Sequence, residues 1–243
     1  MNELTLLGTG TCQIDPTRMG SSVLIRTEAF NVVYDFGRGV TLRLFEVGLK
    51  NDDVEHIILS HLHPDHFSDL IPFLHAAMWS RVDPRTKDLQ IYAPAGSAEI
   101  MDGIIDLIDR KHMEAACFNV HVQELQSGSF TIGALEFQAV KLPHAENRGL
   151  RFLLGGKLVA LTGDTPFCEE EVELLEGADL AIIDSGHLSD DELIQLAVLS
   201  QAKRIYCSHL YRELKAEVLN RAAKQQGYLG ELIVGEDLMQ LEL

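Results

Sequence analysis

Twice along this chain a strand-rich stretch gives way to alternating strands and helices, and that doubled order restricts the fold more than any other feature. Short β-branched and apolar runs predict strands at 4–7, 22–26, 32–35, 56–59, 89–92, 119–122, 135–140, 158–161, 180–183 and 204–207. Helical periodicity falls between several of them: 38–47, closed by Gly48; 67–79; 95–109, opening after Pro94; 190–199; and 212–225. The first half runs from strands into αβ, and the second half repeats this from about Gly128. A sheet needs both faces covered. The pattern therefore predicts an α/β (α+β) protein, a four-layer αββα sandwich, as a single domain over 1–243. With 46% hydrophobic residues among 243, the chain can bury a core of that size.

Charge narrows the function. Lys and Arg number 20 and Asp and Glu 37, a formal net charge of -17. Such a chain repels phosphate backbones at long range unless bound cations offset it, which argues against non-specific nucleic-acid binding. The Glu169-Glu170-Glu171 run reads as solvated surface. No apolar run approaches the roughly 20 residues of a membrane helix, and MNELTLLGTG lacks the basic start and apolar core of a signal peptide, so a cytoplasmic protein is expected. Cys12, Cys117, Cys168 and Cys207 form no CxxC pair and read as buried, reduced thiols.

The segment that carries chemistry is Ser60-His61-Leu62-His63-Pro64-Asp65-His66, between a predicted strand and a predicted helix. In extended backbone, residues two apart point to one side, so His61 and His63 can converge on one cation. The turn into the helix re-aims Asp65 and His66 toward a neighbouring position. Neutral imidazoles with a carboxylate suit zinc, manganese or iron. One loop cannot close two metal sites. His144, Asp164 and His209 each directly follow a predicted strand, where functional groups gather in mixed α/β architectures.

HLHPDH at 61–66, His144, Asp164 within TGDT and His209 within CSHL together resemble the metallo-β-lactamase superfamily, in its ribonuclease Z-like group. LGTGT at 7–11, VYDFGRG at 33–39, HLHPDHFSDL at 61–70, ADLAIID at 178–184 and the segment 187–209 carry the same resemblance. It implies the αββα sandwich and two divalent metal ions, zinc first, with manganese or iron as alternatives. His61, His63 and His144 would hold one, and Asp65, His66 and His209 the other. Asp164 and a water or hydroxide would bridge them. Asp35 would orient a ligand imidazole through its free ring N–H.

The same resemblance implies a metal-dependent hydrolase, most simply a phosphodiesterase on a small or short phosphodiester. Asp65, His187 and Asp184 stand as its catalytic groups, with His187 the proton donor and Asp184 raising its pKa. Homodimers occur in the resembled group, so a homodimer is expected. Asp184 replaces the family's glutamate. His144 and Asp164 stand only 20 positions apart, room for a β-hairpin at Gly155-Gly156 but not for the protruding arm with which the shorter ribonuclease Z enzymes grip transfer RNA. Three alternatives share the ligand set: an ester, lactone or thioester hydrolase, a ribonuclease Z-type transfer-RNA 3′ endonuclease, and a metal-binding protein without turnover. Arg148, Arg151 and Arg212 are candidates for a substrate anion, and the apolar set around Trp79 reads as core or subunit contact.

Overall fold

The computed structural model describes residues 2–243. One sheet is built from β1 (Glu3–Gly8), β2 (Ser22–Arg26), β3 (Asn31–Tyr34), β4 (His56–Ile58), β5 (Leu89–Ala93), β6 (Val120–Glu124) and β14 (Met239–Leu241), in the order β14-β1-β2-β3-β4-β5-β6. The other holds β7 (Gly128–Ile132), β8 (Leu135–Lys141), β9 (Arg148–Leu154), β10 (Lys157–Leu161), β11 (Leu180–Asp184), β12 (Arg204–Ser208) and β13 (Glu231–Val234), in the order β13-β12-β11-β10-β9-β8-β7. Each half begins antiparallel (β1 to β3, β7 to β10) and continues parallel (β3 to β6, β10 to β13). The doubled order of the sequence is thus a doubled sheet.

Period-two alternation sorts the strand residues into layers. Val32 and Tyr34 of β3, Ile58 of β4, and Leu180 and Ile182 of β11 enter the core between the sheets, together with Phe137 and Phe152. Val33 and Ile57 face outward onto α1 (Val40–Glu46), α3 (Leu70–Trp79) and α4 (Ser97–Ile108). Ala181 and Ile183 face α6 (Glu169–Leu175), α7 (Asp190–Ser200) and α8 (Ala216–Gln225). Strands covered on both faces read as unbroken apolar runs, and the expected αββα sandwich is what these layers form. Among the described residues, no helix is long and apolar enough to cross a membrane.

Several expected elements differ in detail. The helix expected over 67–79 is two, α2 (Pro64–Phe67) and α3, broken at Ser68-Asp69. Asp69 is spent on another helix: its carboxylate accepts from the backbone N–H groups of Gly39 (3.0 Å) and Thr41 (2.6 Å) at the start of α1. The helix expected over 212–225 begins only at Ala216, because Arg212 donates to the Ser185 carbonyl (3.1 Å) and to Asp190 (2.7 Å). Strands β7, β9, β13 and β14, together with α6 and α5 (Arg110–Ala115), were not expected as such, although β9 and β10 make the hairpin foreseen at Gly155-Gly156.

Four side-chain expectations also change. Glu169 and Glu170 are exposed, but Glu171 is completely buried. Cys207 is buried and Cys168 half-buried, while Cys12 and Cys117 are exposed. Arg148 is buried and donates to the carbonyls of Glu146 and Asn147, and Arg151 donates to that of Leu174, so both guanidiniums are engaged with backbone. Trp79 lies half-exposed against the His112 ring, 4.1 Å between centroids.

Candidate active site

The site forms at one rim of the sandwich, where strands of both sheets end. After β4 the chain runs through Ser60 and His61 to His63, and α2 then carries Asp65 and His66. His144 follows β8, Asp164 follows β10 and His209 follows β12. Sharp reversals bring these groups inward. Asp35, Ala145 and His209 hold φ of 59°, 46° and 53°, a region that non-glycine residues rarely occupy and that recurs at functional sites. Gly163, at φ 62°, leaves room that a Cβ would fill: it would stand 2.5 Å from Asn147 Oδ1 and 2.7 Å from Ser60 Cβ.

The structure brings all nine sequence-derived residues together. His61, His63, His144 and Asp164 place ligand atoms within 4.8 Å of one another, as do Asp65, His66 and His209, and as do Asp164, Asp184, His187 and His209. Asp164 joins the groups, since its carboxylate lies 3.1 Å from His66 Nε2, 3.4 Å from His209 Nε2 and 3.7 Å from His61 Nε2.

Asp35 sets the orientation of two imidazoles at once. Its Oδ2 accepts from His66 Nδ1 at 2.7 Å and from the Ser60 hydroxyl at 2.8 Å, and its Oδ1 accepts from Ser60 N–H at 2.7 Å. Ser60 Oγ also lies 2.9 Å from His61 Nδ1. The hydroxyl hydrogen is given to Asp35, so the oxygen accepts from His61. Both rings therefore keep Nε2 for the centre of the site. Those two buried nitrogens, with Asp164 Oδ1, have no hydrogen-bond partner. Buried polar atoms left open in this way fit a ligand between them. Neutral imidazoles and carboxylates are the donor set of a divalent transition metal, and the residues present could hold such ions.

Electrostatics agree with that fit. Burial, reinforced by the His66 ring, pushes His61 down to about 2, and burial lowers His144 as well. Burial also opposes charge on His209, yet hydrogen bonds to Asp184 and Asp65 push it up to about 9. On His66, burial is outweighed by Asp35 and Asp164. Carboxylates packed this closely demand positive charge, from protons or from cations that replace them.

At the edge of the site Asp184 Oδ2 lies 2.6 Å from His187 Nδ1, and its Oδ1 lies 3.2 Å from His209 Nδ1. The first contact raises His187. Burial opposes charge on Asp184, yet its hydrogen bonds to His187 and His209 hold its carboxyl below the usual range; Thr165 N–H and Gly186 N–H also donate to it. Sequence reasoning missed Ser60, Asn147 and Tyr211. Asn147 Nδ2 donates to the carbonyls of Thr162 (2.9 Å) and Asp164 (2.6 Å) and so fixes the Asp164 turn. The Tyr211 ring stands edge-on to His209, 5.2 Å between centroids. Of these only Ser60, adjacent to His61, carried a local signal.

A family model described as the β-lactamase superfamily domain matches residues 30–229. The chain belongs to the β-lactamase superfamily. Within the superfamily, it is 30% identical to a ribonuclease Z of Mycobacterium sp. (strain KMS), over 91% of this chain and 81% of that protein. A ribonuclease Z of Mycobacterium marinum is 31% identical, over 73% and 68%. Superfamily structures show the same fold. The metallo-β-lactamase fold protein YhfI from Bacillus subtilis superposes with a TM-score of 0.81 at 20% identity over the whole of both chains. Human tRNase Z, short form, gives 0.75 at 24% identity, over 99% of this chain and 98% of the other.

Proposed function

We propose that this protein is a metal-dependent phosphodiesterase with two adjacent divalent ions, zinc first among the candidates, acting on a small or short phosphodiester. The observation that carries the reading is the Asp164 carboxylate set beside His61 and His66, whose buried Nε2 atoms have no hydrogen-bond partner, with His63, His144, Asp65 and His209 grouped around them. His61, His63 and His144 would hold one ion, Asp65, His66 and His209 the other, and Asp164 both. Bound there, the ions supply a deprotonated water at neutral pH and positive charge for the phosphoryl oxygens.

The chain's own residues do the rest. Asp35 and Ser60 hold His66 and His61 in the tautomer that binds metal. Asp184 receives the His187 Nδ1–H, favours the protonated ring and leaves Nε2 as the donor to the departing oxygen. The same carboxylate stands beside His209, so the proton donor and one metal-binding imidazole share an anchor. Asp65, with His209 Nε2 3.4 Å away, would help to hold the second ion.

The relatives named ribonuclease Z favour a second reading, an RNA phosphodiester as substrate. Between His144 and Asp164 this chain has only β9, a Gly155-Gly156 turn and β10, with no further element to grip a large RNA. The small-substrate reading therefore leads. Protein loaded with Zn²⁺ or Mn²⁺ is expected to hydrolyse bis(4-nitrophenyl) phosphate. No hydrolysis across a wide pH range would reject the phosphodiesterase. Cleavage of precursor transfer RNA in a gel assay would replace the small substrate by the RNA.

A further inference from the structure

A cavity of about 500 Å³ lies between the β1–β2 connection and the segment after β12. Tyr211 stands between it and the imidazoles, its ring edge-on to His187 at 6.1 Å and 89° and to His209 at 5.2 Å and 82°. The Tyr211 hydroxyl meets Cys12 Sγ at 3.2 Å, so the tip of the β1–β2 connection touches the segment after β12 at that point. A second, smaller space is lined by Cys12 together with Pro64 and Asp65. The Cys12–Tyr211 contact is thus a sill between the cavity and the site.

The cavity is held by ordered groups. Asp237, next to β14, accepts from Thr9 N–H (2.9 Å), the Thr9 hydroxyl (2.8 Å) and Met19 N–H (2.7 Å), pinning both ends of the β1–β2 connection. Arg212 fastens the other wall to the loop that bears His187, through the Ser185 carbonyl.

We propose that this cavity receives the leaving group of the substrate, a nucleoside-sized alcohol, and that Tyr211, braced by Cys12, is a specificity-determining residue. The proposal rests on the phosphodiesterase reading above. As the P–O bond breaks, a bond from the water-derived oxygen to phosphorus forms, and the departing oxygen keeps the bonding pair and takes the His187 proton. The leaving group must therefore lie on the His187 side, and Tyr211, which borders the His187 ring, is also part of the wall of this space. Arg18 and Arg212 face the cavity together with Asp15 and Glu213. A group with both hydrogen-bond donors and acceptors meets partners of both kinds. A second phosphate would meet two carboxylates, and an alkyl chain would desolvate four charged groups without pairing them.

Calorimetric titration with adenosine and steady-state kinetics test this. The variants are Gln13→Trp, which fills the cavity from an exposed position, Tyr211→Ala, and a control, Ser129→Trp, in a remote surface hollow. Adenosine is expected to bind wild type and the control alike, and each cavity variant about tenfold more weakly. The ratio of kcat/KM for adenylyl-(3′→5′)-adenosine to that for bis(4-nitrophenyl) phosphate should fall about tenfold in both cavity variants and hold in the control. Unchanged adenosine binding in Gln13→Trp, or no binding to a wild type that hydrolyses the nitrophenyl ester, would overturn the cavity assignment while leaving the hydrolase intact. A wild type inert toward the nitrophenyl ester would bring down the hydrolase and this proposal with it.

Discussion

Glu171 sits on the first turn of α6 with no exposed surface and neither carboxylate oxygen hydrogen-bonded. Burial, with Asp184 and Glu192 nearby, pushes its pKa up to about 9 from an ordinary value of 4.5. In the folded protein it therefore keeps its proton at neutral pH, whereas the unfolded chain releases it above pH 4.5. A group raised in the folded state stabilises fully below its unfolded pKa, and that contribution is lost as pH climbs toward the folded value. The slope is about 1.4 kcal/mol per pH unit inside this window. Glu171→Gln keeps the shape and removes the proton. Between pH 5 and pH 8 the variant should gain about 4 kcal/mol on wild type, whatever their difference at pH 5. Urea unfolding of both proteins at pH 5, 6.5 and 8 measures this, and the titration of every other group cancels in the difference. A stability difference that stays flat with pH would refute the buried, protonated carboxyl.

Other consequences are equally direct. His187→Ala should lower kcat by about 10²-fold or more for an alkyl leaving group, yet far less for 4-nitrophenolate, which departs without a proton; equal losses on both would remove His187 as the donor. Asp35→Ala, by freeing His66 and the Ser60–His61 pair, should weaken metal binding about 10- to 100-fold in a competition titration with a chromophoric chelator, and unchanged affinity would contradict its orienting role.

The fold was legible where a strand is buried on both faces, because there the apolar run is unbroken: 22–26 matches β2 residue for residue, and β11 and β12 extend only one residue beyond the expected runs. It was illegible where burial is partial or polar groups interrupt. β9 carries Arg148 and Arg151, whose charges are absorbed by backbone carbonyls that only the folded chain supplies. β14 is three residues long and owes its existence to pairing with β1, across nearly the whole sequence. The HLHPDH ligands could be read because they are local in sequence, and His144, Asp164 and His209 because each ends a strand. The Asp35–Ser60–His61 relay and the Tyr211–Cys12 contact depend on loops meeting in space. Glu171 reads as surface because a run of three glutamates ordinarily faces water, and the turn of α6, itself not expected, directs the third inward.

The central claim is a pair of cations shared through Asp164, and metal content tests it most directly. Plasma emission analysis of wild type and Asp164→Ala, each checked for folding by circular dichroism, should give about two equivalents for wild type and one or fewer for the variant. A folded wild type with less than about half an equivalent after incubation with zinc, manganese or iron, or a variant that retains both ions, would contradict the account.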